Sequence, residues 1–337
     1  MLYAVGFNLH WRAIVQAFFA GSTLKFVKTC EQVPAGEAAV IWGMQQREHA
    51  QAHISSLFRL EDGFIRSVGL GALFAKPLSW IADSRGLYFD ATQPSDLEHL
   101  LAHRRFSQQE LQRAAALREW LCANKVSKYN TGTLAWQRPV TEKTVILVAG
   151  QVETDASIAF GAPSIRQNIE LLAAVRTRHP AAHIIYKPHP DVVAGARALG
   201  NNEQLASAYC DQIETQVDIS VMLEQVDEVH VLTSLAGFEA LLRGKKVVCY
   251  GMPFYAGWGL TQDVVVCERR NRRLTTDELV AGCLMAYPMY LDPQTGFYTN
   301  ALDAAKTLAQ LREQSNPLLA LWRRLLRFSI NLVRGKQ

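Results

Sequence analysis

The chain has 337 residues, 49% hydrophobic and 20% charged, enough to bury cores in two domains of ordinary size and too apolar for a disordered chain. A net charge of +4 is too mild for a nucleic-acid binder, yet it suits anionic sugars, nucleotides or an anionic membrane surface. Six scattered cysteines without a C-x-x-C pair exclude a zinc knuckle, a thioredoxin-type motif and a disulfide framework, and read as buried thiols of a reducing cytosol.

Met1–Gly6 lacks the basic region and apolar core of a signal peptide, and no apolar run reaches the ~18 residues that span a membrane. Leu2–Phe7 and Ala38–Trp42 read as buried strands, as do Val145–Ala149, His183–Tyr186, Glu228–Leu232 and Lys246–Tyr250. Helical periodicity fills Ile165–Arg178, Phe238–Arg243 and Thr276–Ala286. Strand and helix in alternation predict an α/β fold of parallel sheets with crossover helices, in two blocks. The polar stretch Tyr129–Thr141, with Asn130, Gly132 and Pro139, marks the junction. The expected domains are therefore 1–138 and 139–310, two Rossmann-like halves facing across a cleft, with a tail over 311–337. In Pro317–Gln337 leucines, Trp322 and Phe328 interleave with Arg323, Arg324, Arg327, Arg334 and Lys336. This is a basic amphipathic helix, which either lies on an anionic membrane or packs its apolar stripe back on the fold.

Five segments carry candidate chemistry, each with a plainer structural alternative. Glu61-Asp62-Gly63-Phe64-Ile65-Arg66, running on to Gly71, is an acidic, glycine-rich loop able to approach a ligand, or a turn with an Asp cap. Its glycines fit neither a Walker loop nor G-x-G-x-x-G. Gly150–Ser157 puts Gln151, Glu153 and Asp155 at the end of a central strand, with one carboxylate for chemistry and one for hydrogen bonding, or all in a solvated loop. Tyr186–Asp191 holds Lys187 and His189 between prolines at a strand end, a cation and an imidazole suited to phosphate, or a rigid exit turn. Thr233–Leu241 places hydroxyls at a helix N-terminus, with Glu239 one turn in for a ribose diol, or is a plain N-cap. Tyr250–Leu260 offers Tyr255 and Trp258 as sugar platforms, or is a packed surface loop. No Asp-x-Asp occurs, which removes the usual carboxylate pair for a metal-bound nucleotide diphosphate. Of nine histidines, only His189 sits in a motif.

The order and spacing of these segments, together with Gly86–Ala91, Pro94–Glu98 and Arg272–Leu279, resemble the KpsC-type β-Kdo transferases of bacterial capsules, over roughly residues 1 to 300. The resemblance implies a GT-B-like fold and a retaining transferase. Such an enzyme adds the acidic sugar Kdo from CMP-Kdo to a phosphatidylglycerol-linked poly-Kdo acceptor, in the cytosol at the inner membrane. It implies Asp155 as nucleophile, His189 with its proline as phosphate holder, and Thr233 and Ser234 as the hydroxyl motif. Glu61 is the acid/base candidate, and Asp62, Arg66, Gln151, Tyr255 and Trp258 are acceptor or sugar contacts. No cofactor or metal is expected, since the leaving group has one phosphate. Expected partners are the nucleotide sugar, the glycolipid acceptor, an anionic inner-membrane surface and other capsule assembly proteins, with no nucleic acid. Members of the family commonly carry two modules in tandem, and this chain is about one module long. Three alternatives stay open: the same fold with a different nucleotide sugar, a non-catalytic capsule assembly or export factor, and a two-domain epimerase.

Overall fold

The computed structural model describes residues 1–45, 53–69, 76–130 and 132–314. Pro317–Gln337, read as an amphipathic helix, lies outside the described residues, as do Leu70 and Gly71 of the Glu61 loop. The chain forms two compact units. One gathers Met1–Arg66, Pro77–Leu117 and Asp277–Thr307, and the other is built on Arg118–Thr276.

The first unit starts with β1 (Leu2–Val5), β2 (Leu24–Val27), β3 (Ala38–Trp42), β4 (Ser56–Asp62) and β5 (Ser79–Asp83). β1 pairs in parallel with β2 and β3, and β3 with β4, whereas β5 runs antiparallel to β4. The expectation of purely parallel sheets therefore fails at this edge, where an antiparallel strand extends a parallel core. One face packs Ala4, Val40, Leu60 and Trp80 against Val15 and Phe18 of the helix Leu9–Phe18. The Phe18 and Trp80 rings stack with centroids 4.5 Å apart. β4 escapes a search for apolar runs because Arg59, Glu61 and Asp62 interrupt it, and only Leu60 is fully buried.

The second unit holds β6 (Val145–Ala149), β7 (His183–Lys187), β8 (Gln212–Ile213), β9 (Glu228–Val231), β10 (Lys246–Cys249) and β11 (Gln262–Asp263). All its pairings are parallel, in the order β11-β10-β9-β6-β7-β8. The chain winds from β6 one way to β8, then starts again on the other side at β9. This is the doubly wound arrangement, and the sheet reverses between β6 and β9. The central strands β6, β7, β9 and β10 are largely buried, so they read as short apolar runs and were legible from sequence, whereas the two-residue edge strands β8 and β11 are partly exposed and were not. The helix Asn168–Arg178 covers one face through Leu171, Leu172 and Val175.

The chain then returns to the first sheet with β12 (Met289–Leu291) and β13 (Tyr298–Thr299), which add antiparallel to β5. The helical pattern at Thr276–Ala286 forms as an α-turn over Thr276–Val280 followed by a π-helical stretch, Ala281–Ala286. All six cysteines are free; Cys30, Cys249 and Cys283 are buried and the others half-buried. Among the described residues no helix is long and apolar enough to cross a membrane.

Candidate functional site

In a doubly wound sheet the loops that leave the strands on either side of the reversal open a crevice for ligands. Here those loops follow β6 and β9, and the chemistry-bearing residues of the second unit gather there. Leaving β6, Gly150 lies against the Tyr186 ring so closely that a Cβ would stand 2.5 Å from the phenol oxygen. Gln151 comes next and is buried. Its backbone N–H donates to Asn168 Oδ1 at 2.9 Å, and its carbonyl accepts from Asn168 Nδ2 at 2.8 Å. The Gln151 side-chain amide donates to Ser157 Oγ at 2.7 Å and to Thr233 Oγ1 at 2.9 Å, and its Oε1 accepts the Thr233 N–H. Gln151 thus braces the β6 loop to the β9 loop. This differs from the expected sugar contact, because a buried amide spends its donors and acceptor on protein partners.

Ser157 passes the brace on. Its hydroxyl donates to Asp155 Oδ1 at 2.7 Å, and its backbone N–H donates to the same oxygen at 2.8 Å. Asp155 is the N-cap of the helix Ala156–Gly161 and is exposed. Fixed through Oδ1, it presents Oδ2 with no hydrogen-bond partner among the described residues. A carboxylate oriented through one oxygen and open at the other has the form required of a nucleophile. Glu153, expected to share that chemistry, has another task. One of its oxygens accepts the Asn168 N–H and the other the Asn201 N–H, both at 2.8 Å, so it ties two loops together.

At the end of β7, His189 caps the short helix Pro190–Val193. Its Nδ1 accepts the Asp191 N–H at 3.1 Å, which leaves the proton on Nε2 as a donor. Burial pushes its pKa down, so the ring is neutral near pH 7, and the charges of Asp155 and Lys128 both act on it. Lys187, expected to share the phosphate, spends one of its donors inside the fold. Its ammonium donates to the Val217 carbonyl at 2.6 Å, and burial lowers its pKa. Lys128 is a further cation acting on His189, with its Nζ 5.4 Å from the Tyr129 ring centre. Tyr129 itself stands edge-on to His189, with centroids 6.4 Å apart. Sequence reading assigned Tyr129 to a linker and passed over Lys128, since neither follows a strand.

At the end of β9, Ser234 caps the helix Leu235–Leu242 and accepts the Ala236 N–H. The Ser234 carbonyl accepts from Tyr255 Oη and from the Gly237 N–H. Gly237 is required at this point, since a Cβ there would collide with the Tyr255 phenol. Glu239 is buried, accepts the Lys128 N–H at 2.8 Å, and has its pKa pushed up to about 7 by desolvation. Tyr255 and Trp258 are both fully buried, and the Trp258 indole donates to the Phe254 carbonyl at 2.9 Å. They are core residues under the site, because their polar atoms are satisfied inside the fold, and neither offers a face to a sugar.

In the first unit, Glu61 and Asp62 end β4. Arg66 is buried, and its Nε donates to Asp62 Oδ2 at 2.5 Å; Asp62 Oδ1 is buried with no hydrogen-bond partner among the described residues. The ion pair joins a buried Arg66 to a half-buried Asp62, so the guanidinium is engaged inside the fold. Glu61 accepts the Asp62 N–H at 3.0 Å and is half-buried.

The model of the family described as "Capsule polysaccharide biosynthesis protein" matches residues 37–292. Over 91% of the chain, the sequence is 48% identical to the capsule polysaccharide modification protein LipA of Neisseria meningitidis serogroup B. The lipopolysaccharide-processing protein LpsZ of Rhizobium meliloti is 36% identical over 90% of the chain and is covered to 73% of its own length. The chain spans only 45% of the LipA relative. Two solved structures from Thermosulfurimonas dismutans resemble the fold. The KpsC β-Kdo 2,7 transferase has a TM-score of 0.77 at 40% identity, and the KpsC β-Kdo 2,4 transferase has 0.80 at 32% identity. Each match covers 92% of this chain, with 99% and 98% of the solved chains respectively.

Proposed function

Because the chain belongs to the capsule polysaccharide biosynthesis protein family, we propose that it is a Kdo glycosyltransferase acting in capsule assembly. The observation that carries this reading is extent. The chain matches two β-Kdo transferase structures over nearly their whole lengths, which supports the same class of reaction.

The donor in this reading is CMP-Kdo, bound by the second unit, and the acceptor is a phosphatidylglycerol-linked poly-Kdo chain, bound by the first. Asp155 Oδ2 attacks the anomeric carbon, the bond to the CMP phosphate oxygen breaks, and the electron pair leaves with CMP. The product is a covalent sugar ester on Asp155. The acceptor hydroxyl then attacks the same carbon and gives its proton to a base, for which Glu61 is our candidate. Asp155 leaves as a carboxylate, and two inversions retain configuration. The departing phosphate gains negative charge where the His189 Nε2–H, the Lys128 charge and the N-terminus beyond Ser234 favour it. With a single phosphate stabilised in this way, transfer needs no metal clamp and persists in chelator. The work belongs on the cytoplasmic face of the inner membrane, beside other capsule assembly proteins, with the basic residues of Pro317–Gln337 favouring an anionic surface.

The test is a mass-spectrometric transfer assay with CMP-Kdo generated in situ and a β-Kdo-terminated acceptor. A product heavier by one Kdo, absent with Asp155→Ala, is the expected result. Transfer from another nucleotide sugar in place of CMP-Kdo would overturn the donor, and full activity in Asp155→Ala would overturn the nucleophile.

A further inference from the structure

At the opposite end of the helix that holds Gln151 lies a second cluster that the transfer chemistry leaves unused. The helix Asn168–Arg178 grips the β6 loop through Asn168 and ends at its cap, His179, about 16 Å away at the usual rise per residue. There His179 meets Glu228 and His230, the first and third residues of β9. One ligating atom from each of the three lies within 4.8 Å of the other two. The two imidazoles meet edge to face, with centroids 5.2 Å apart.

Three observations separate this cluster from an ordinary packed group. His179 Nε2 is buried and has no hydrogen-bond partner among the described residues, which is costly for a ring nitrogen. His230 is fully buried, and its Nε2 faces Glu228 Oε2 at 3.3 Å. The Glu228 carboxylate divides its work: Oε1 accepts from Lys246 Nζ at 2.8 Å on the solvent side, which leaves Oε2 on the histidine side.

We propose that His179, Glu228 and His230 form a binding site for a divalent transition-metal ion of the zinc class, which staples the end of the helix to β9. Two imidazoles and one carboxylate are borderline ligands that suit Zn(II) or Co(II), whereas Mg(II) and Ca(II) prefer all-oxygen sets. Around a tetrahedral ion the ligand atoms stand roughly 3.4 Å apart, so side-chain shifts of about 1 Å close the site, and water takes the fourth position. When Nε2 of His230 takes the metal, its proton moves to Nδ1. Tyr250 Oη, 3.4 Å away, is the acceptor waiting there. Arg178, which bonds the same phenol, and Lys246 are the cations at the rim, and the Glu228 carboxylate offsets them.

The experiment uses the full chain, stripped with chelator and exchanged into metal-free buffer, then titrated with Co(II) chloride. The expected result is one equivalent of Co(II) with a tetrahedral visible spectrum and no thiolate charge-transfer band. Zn(II) displaces it and raises Tm by roughly 5 °C at a hundredfold excess over Kd. His179→Ala, at a partly exposed helix cap, folds and loses at least about 100-fold in affinity, since even outer-shell changes cost 10–100-fold. His230→Gln gives a second reading of the same loss. No spectrum and no shift in the wild type would overturn the proposal, as would undiminished binding by His179→Ala or a thiolate band marking a cysteine site.

Discussion

Replacing Glu239 by Gln isolates one buried charge and gives a signed pH dependence. Desolvation raises the Glu239 pKa from 4.5 to about 7, outweighing the Lys128 N–H and the Arg243 charge. The folded state therefore holds a proton that the unfolded chain releases. The contribution of this group is full below about pH 4.5, is lost progressively as pH rises toward 7, and is constant above. A shift of that size corresponds to about 3 kcal/mol at roughly 1.4 kcal/mol per pKa unit. Glu239→Gln keeps an oxygen for the Lys128 N–H and removes the ionisation. The variant should match the wild type in acid and exceed it by up to about 3 kcal/mol above pH 7. Urea denaturation followed by circular dichroism between about pH 5 and pH 8 reads this difference directly. Parallel pH profiles for the two proteins would refute the reasoning, because they would mean that Glu239 ionises alike in both states.

Thr233→Val deletes the hydroxyl that meets Gln151 and Ser157, leaves buried polar atoms unmatched and costs about 1–3 kcal/mol, with turnover falling as Asp155 loses its orientation. Urea melts and kcat together check it. Trp258→Ala should destabilise the second unit by about 3–5 kcal/mol, and the folded fraction should keep its acceptor KM, as expected of a core ring. His189→Ala removes the Nε2 donor and should lower kcat by roughly 100-fold, while the lost cap on the Asp191 N–H costs about 1 kcal/mol of stability.

The four central strands of the second unit were legible because they are largely buried, and burial of that kind writes a mostly apolar run, which the two-residue edge strands β8 and β11 lack. The positions of the Gln151, His189 and Ser234 loops followed from that reading, since each begins where a strand stops. The roles within those loops were harder to read. Glu153 and Asp155 are alike on paper, and only the fold shows that Glu153 faces the Asn168 and Asn201 amides while Asp155 faces out. Lys187 reads as a phosphate cation, and only the fold shows that one of its donors goes to the Val217 carbonyl. Tyr255 and Trp258 sit among glycines as a ligand loop would, yet the same composition lets aromatic rings turn into the core. In the first unit β5 and β12 are brief and antiparallel, and partners more than 200 residues apart leave no local periodicity to find. Sequence separation also hides the pairing of His179 with His230, which stand on different elements and are in ring contact in space.

In the proposed double displacement the sugar passes through a covalent bond to Asp155. Incubating the protein with CMP-Kdo in the absence of acceptor, followed by intact-mass and peptide analysis, tests it most directly. The expected result is a mass gain of one Kdo residue on the peptide containing Asp155, cleared when acceptor is added. A Kdo adduct on a different residue, or full transfer by Asp155→Ala without any adduct, would contradict it.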